Sequence, residues 1–207
     1  MIHSAFRLAA ILALLLATNA MASTFPADIP QLDRDREIAM ALSAAPPELR
    51  SEAGVYVLAH SGFVLARESH NGFNCLVERD IHVTAPVCYD PEGSRTTLQA
   101  SLERARIVMS GVDGQSADRM IDAEYRAGRL RPPAKPGIAY MLSHDFVRLD
   151  PKTGQTKVLY PPHVMVYAPF LRNEDIGVAK QFIRSTHHVW VEAEGKPDAC
   201  LVFTTEP

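Results

Sequence analysis

Pro161-Pro162-His163-Val164-Met165-Val166-Tyr167-Ala168-Pro169 is closed by prolines at both ends and alternates between them. A period of two is that of a β-strand, whose successive side chains point to opposite faces. His163, Met165 and Tyr167 therefore share one face, and Val164, Val166 and Ala168 share the other. The valine face reads as core. The opposite face sets an imidazole, a thioether and a phenol in a row, which suits a pocket wall better than a solvated sheet surface.

Strand patterns continue on both sides of this stretch. Ile138 to Ser143 precedes it, and His188 to Glu192 and Ala199 to Phe203 follow it. Asp150 to Gly154 and Glu194 to Pro197 carry the composition of turns. Asn173 to Arg184 predicts a short helix, opened by Asn173 and favoured by Glu174 and Asp175 in its first turn. Upstream, Leu130 to Gly137 contains three prolines and a glycine, and it predicts a rigid extended connector.

Before the connector the period changes to that of helices. Leu98, Leu102, Ala105 and Met109 recur at helical spacing over Ser94 to Ser110, with Gly111 placed to end the helix. A further helix runs from about Ser116 to Ala127 and stops at Gly128. Asp80 to Gly93 has no period and predicts a loop. Earlier still, Gly54 to Ala59, Gly62 to Arg67 and Phe73 to Arg79 are β-rich runs separated by the turns His60-Ser61-Gly62 and Ser69 to Gly72, which predicts an antiparallel meander. Arg34 to Ala44 is a helix stopped before Pro46-Pro47.

Strands thus group with strands and helices with helices. That order predicts an α+β fold: a mainly antiparallel sheet of about six to seven strands with three to four helices packed against one side of it. At 207 residues, with 47% apolar and 22% charged residues, the chain suits a single globular α+β domain over residues 23 to 207. The formal charge of -3 and the absence of a basic run argue against nucleic acid as a partner.

Residues 1 to 22 read as a signal peptide. Leu8 to Ala17 is an unbroken apolar run, and Ala20-Met21-Ala22 places small residues where a signal peptidase reads, so cleavage is expected after Ala22. No later stretch approaches the ~20 apolar residues of a spanning helix, so no stable membrane insertion is expected after cleavage. A periplasmic or secreted location follows, and it changes the reading of the cysteines. In an oxidising compartment Cys75 and Cys88 are expected to pair, closing a short loop worth ~3 kcal/mol, with Cys200 left free and buried. None of the three has metal-ligand spacing.

The clusters Asn71-Gly72-Phe73-Asn74-Cys75-Leu76-Val77-Glu78-Arg79 and Pro161 to Pro169, joined by Gly137 to Ser143, resemble together a family of uncharacterised exported bacterial proteins. The likeness runs from about Glu37 to Phe203. It implies one compact domain and carries no activity, cofactor or substrate.

The candidate chemistry centres on His163. Met165 and Tyr167 share its face, and Tyr140 and His144 fall on one face of the preceding strand, so all five are candidate ligand-binding residues. The sequence has no Gly-x-Ser-x-Gly, Ser-x-x-Lys, Gly-x-Gly-x-x-Gly or Walker-type loop, which counts against an ordinary serine hydrolase and against nucleotide use. His163 with Met165 offers an imidazole and a thioether of the kind that suit Cu(I), but two ligands do not make a site, and no metal is assigned. Three readings stay open: a domain that binds a small molecule on the His163 face, a small enzyme using His163 as general acid or base with Glu78 or Tyr140 in support, and a structural envelope protein. A cofactor and an oligomeric state are not specified.

Overall fold

The computed structural model describes residues 29, 31–80, 82–150 and 152–205. The expected signal peptide and its cleavage point lie outside the described residues. The first element is helix α1 (Arg34–Ser43), whose N-cap Asp33 accepts hydrogen bonds from the amides of Asp35 and Arg36. Strands β1 (Gly54–Ala59), β2 (Gly62–Arg67), β3 (Asn74–Arg79) and β4 (Val83–Tyr89) follow. Then come helices α2 (Pro91–Arg95), α3 (Thr97–Met109) and α4 (Gly114–Arg126), and after the connector β5 (Ile138–Met141), β6 (Val147–Leu149), β7 (Thr156–Val158), β8 (His163–Tyr167), β9 (Trp190–Glu192) and β10 (Cys200–Thr204). The fold is α+β, as expected, with more strands than the sequence suggested.

One mixed sheet carries them in the order β2-β1-β3-β4-β5-β8-β10-β9, with β6 paired to β4 and β7 to β6. Most pairs are antiparallel, but β1 and β3 run parallel, with Gly54 opposite Asn74 and Val55 opposite Cys75. The expected meander is therefore corrected. Strand β2 already returns the chain antiparallel to β1, so the short link from Glu68 to Phe73 can deliver β3 to the other side of β1 in a parallel sense without a crossover helix. Asn71 holds that link: its side-chain oxygen accepts from the Phe73 amide and its nitrogen donates to the Leu49 carbonyl.

The expected loop over Asp80 to Gly93 is corrected too, because most of it is the central strand β4. Asp80 turns the chain by accepting the amides of His82 and Val83. Pro86 is tolerated inside β4 since the edge away from β3 pairs with β6 only at Val83 and Thr84 and with β5 only at Cys88 and Tyr89, leaving Pro86 between them. Asp90 then caps α2 through the Gly93 amide and also accepts the Ile138 amide, tying the helix start to β5. Downstream, α4 begins at Asp113, whose carboxylate accepts from the Ser116 amide, rather than at Ser116 itself. The Asn173 to Arg184 segment forms two separate 3-10 turns, Glu174–Ile176 and Lys180–Phe182, divided by left-handed Gly177.

Helices cover both faces of the sheet, not one. Helix α1 packs on Val55, Val57, Cys75, Val77 and Cys88. On the other face Leu98 of α3 packs among Leu76, Val87 and Tyr89, and α4 rests on α3 through Ala117 and Ile121. Cys75 and Cys88 lie directly opposite in the β3/β4 register and are joined by a disulfide, while Cys200 is a buried free thiol. At 0% exposure the disulfide lies wholly within the core beneath α1.

Strand β8 reverses one sequence reading. His163 and Tyr167 are buried, whereas Val164 and Val166 are only half-buried. Helix α1 packs on β1, β3 and β4 and reaches β5 at Tyr140, and the valine face of β8 lies beyond it in the sheet order. The His163 face instead meets aromatic residues brought in by segments distant in the chain.

Candidate functional site

The His163 face of the sheet forms the floor of a cavity of about 460 Å³. Its apolar walls are Met141 from β5, Met165 and His163 from β8, Val202 from β10, Trp190 from β9, and Phe146 and Tyr160 from the two ends of the β6/β7 hairpin. Charged residues, among them Glu78, Asp80, Arg148, Arg184 and Glu192, stand around it. Its wall also includes Arg79 and Arg104, which with Glu78 line a smaller neighbouring hollow of about 110 Å³ under α3. The hairpin and the segment around Ile183 close over the larger cavity, with Phe146 and Ile183 packing on Tyr160, Trp190 and Val202.

His163 is 4% exposed and sits among rings: Tyr160 meets it edge-on at 5.1 Å between centroids, and Phe146 lies tilted at 6.1 Å. Tyr160 is itself fixed, donating to the Ser185 carbonyl and accepting from the Trp190 indole N–H. The Nδ1 atom of His163 is 2.8 Å from the Pro161 carbonyl oxygen. A carbonyl can only accept, so Nδ1 carries the hydrogen and Nε2 holds the lone pair of the neutral ring. Burial pulls the imidazole below its ordinary pKa, and the Pro161 bond opposes that only in part. The ring is thus neutral and oriented, with one free acceptor nitrogen.

The structure brings together some of the expected site residues and separates others. His163 and Met165 line the cavity, and so does Glu78. Glu78 does not reach the imidazole as a hydrogen-bond partner; its Oε1 accepts from the Tyr89 and Ser101 hydroxyls, and burial together with the Glu78 charge holds the Tyr89 phenol well above its ordinary pKa. Tyr167 shares the His163 face but is spent elsewhere, its hydroxyl donating to the Ile138 carbonyl at 2.8 Å over Gly93. A Cβ at Gly93 would stand 1.8 Å from that oxygen, so only glycine admits the tyrosine. Tyr140 pairs with Val164 and therefore lies on the opposite face, stacked on Phe73 at 6.1 Å beneath α1. His144 is exposed beyond the end of β5. Neither faces the cavity.

Sequence reasoning missed Met141, Phe146, Tyr160 and Trp190 as cavity residues. Met141 sits directly opposite His163 in the β5/β8 register, which the alternation within β5 permits but cannot specify. Trp190 is the one tryptophan of the chain, and its place against Tyr160 is set by the β10/β9 pairing, which puts it opposite Val202.

Arg79 is not available to a ligand as a free cation. Its Nη2 donates to Glu37 Oε2 at 3.0 Å, and both side chains are 2% exposed. Arg104 is paired with Asp118 and, at 3.9 Å, Arg184 approaches Glu192. Among the described residues no group of three or more His, Cys, Asp and Glu side chains is arranged to hold a metal ion.

The chain matches no protein-family model, no curated protein and no solved structure. The family resemblance drawn from the residue 71–79 and 161–169 clusters rests on those residues alone.

Proposed function

We propose that the chain is an exported domain that binds a small ligand in the cavity floored by His163 and Met165. The cavity itself carries this reading. At about 460 Å³ it falls within the ~300–1,000 Å³ of small-molecule sites, and it combines an apolar and aromatic floor with a surround of charged residues that can orient a ligand. Export is supported by the leader-like sequence and by the Cys75–Cys88 disulfide. No helix among the described residues is long and apolar enough to cross a membrane.

One observation favours binding over acid–base catalysis. A catalytic histidine is ordinarily oriented by a carboxylate on its other nitrogen, which stabilises the imidazolium that forms. His163 has a backbone carbonyl there, and its buried position disfavours the charged ring. The same arrangement serves a binder well, since a fixed neutral Nε2 is an acceptor for a ligand donor or a lone pair for a metal.

The test is native mass spectrometry of the chain purified from its own envelope, alongside His163→Ala and Val164→Ala. The wild type and Val164→Ala should retain a bound species that His163→Ala has lost. Both variants should stay cooperatively folded, at costs within the ~0.5–3 kcal/mol of ordinary substitutions. A wild type that carries nothing, and whose Trp190 fluorescence responds to neither small molecules nor metal ions, would overturn the reading.

A further inference from the structure

We propose that the ligand of this cavity is a soft monovalent metal ion, Cu(I), held by the His163 imidazole and the thioethers of Met141 and Met165; this rests on reading the cavity as a binding site. The three residues come from two adjacent strands and line one cavity. Met141 is directly opposite His163 in the antiparallel register, and Met165 is two residues along β8 on the same face, opposite Ala139. Directly opposed residues have Cβ atoms ~4.5–5.5 Å apart and diagonal ones are ~7–8 Å apart. Both methionine side chains are long and unbranched, so their sulfurs can converge over the imidazole. Facing Met165 across the sheet is Ala139 on one side and Val202 on the other, which places no competing polar group between the thioethers.

The donor set selects the ion. Thioethers are soft, neutral ligands that favour Cu(I), and imidazole is compatible with it, whereas Zn(II) prefers thiolate, imidazole and carboxylate. His163 is already in the ligating state: its Nδ1–H is tied to the Pro161 carbonyl, the outer contact that ordinarily fixes a metal-binding histidine and leaves Nε2 bare. The one added positive charge meets Glu78 and Asp80 in the cavity wall, while Arg79 and Arg104 are neutralised by Glu37 and Asp118, and Arg184, whose side chain is 73% exposed to screening water, has Glu192 at 3.9 Å. Arg148 is exposed at the rim. Cys200 is not part of the set: it does not line the cavity, and burial pushes its thiol up to about 12.

The experiment titrates the purified chain with Cu(I) against a chromogenic Cu(I) chelator, and with Ag(I) as an air-stable probe of the same donors. One ion per chain is expected. Met141→Leu and Met165→Leu should each weaken Cu(I) binding by more than about tenfold, while keeping melts near wild type because the exchange conserves volume. Zn(II) should not bind in the cavity. In chain labelled with 13C at the methionine methyls, Ag(I) should shift the Met141 and Met165 signals and leave those of Met40, Met109 and Met120 in place. That readout needs no variant to fold. Metal bound with the Met141 and Met165 signals unmoved would overturn the proposal, as would no binding at stoichiometric Cu(I). An organic molecule retained in the cavity without Cu(I) binding would overturn the metal while leaving the binding reading intact.

Discussion

Removing Arg79 should cost far more than removing any arginine of the surface. Glu37 of α1 is 1% exposed and holds together three elements. Its Oε1 accepts the Leu58 amide of β1 at 2.8 Å and its Oε2 accepts Arg79 Nη2 at the end of β3. Strands β1 and β3 pair only at Gly54 and Val55, so at Leu58 the amide has left the parallel ladder and the carboxylate takes the place of a strand partner. Arg79 Nη1 also lies 2.9 Å from Oε1, off line for a hydrogen bond, which leaves the pair close but not fully satisfied. Breaking a buried pair strands one charge, at ~3–5 kcal/mol, so Arg79→Met should lower the melting temperature by on the order of 10 °C in a chain of this size. Replacing both partners removes that stranded charge. Glu37→Gln/Arg79→Met keeps an acceptor for the Leu58 amide and should recover most of the loss, whereas Glu37→Leu/Arg79→Met orphans the amide and should stay ~1–3 kcal/mol below wild type. Thermal and urea unfolding followed by circular dichroism and by Trp190 fluorescence measure all three. A single Arg79→Met that costs under ~1 kcal/mol would refute the reasoning, because only a screened, solvated pair is that weak.

Two further outcomes are expected. Cys75→Ala/Cys88→Ala removes a bridge spanning 13 residues and should destabilise by ~3 kcal/mol, with thiol counting of the unreduced wild type in denaturant giving one free thiol, Cys200; coincident unfolding of the bridged and unbridged chains would refute the first, and three thiols the second. Asp198 has its carboxyl raised, chiefly by burial, with Asp122 and Glu78 adding to it against Lys196. A carboxyl raised in the folded state favours folding below its unfolded pKa and loses that contribution as pH rises through the folded value, so ionised Asp198 costs stability at neutral pH. Asp198→Asn should therefore raise the urea midpoint at pH about 7 and lose that advantage at pH about 3, where the native aspartic acid is also neutral; a gain equal at both would refute the assignment.

The sequence by itself determined what depends on neighbours in the chain. Alternation placed His163, Met165 and Tyr167 on one face, and they are on one face; helical spacing placed Leu98 and Met109 in the core, where both are buried. Export reasoning paired Cys75 with Cys88, and the disulfide joins them. Tertiary structure decided what depends on pairing across the chain. A period of two says which residues share a face and not which face is covered, so the valines of β8 read as core although they are only half-buried. Register is likewise invisible to a single strand: it put Tyr140 under α1 rather than beside His163, and brought Met141, which attracted no notice in the sequence, directly opposite the imidazole. Pro86 disguised β4 as a loop, because a proline is excluded from a central strand only where its missing N–H faces a neighbour, and the gap between β5 and β6 supplies none. The cavity exists for the same reason. Its walls come from β3, β4, α3, β5, the β6/β7 hairpin, β8, β9 and β10, and only long-range packing sets those side chains around one space.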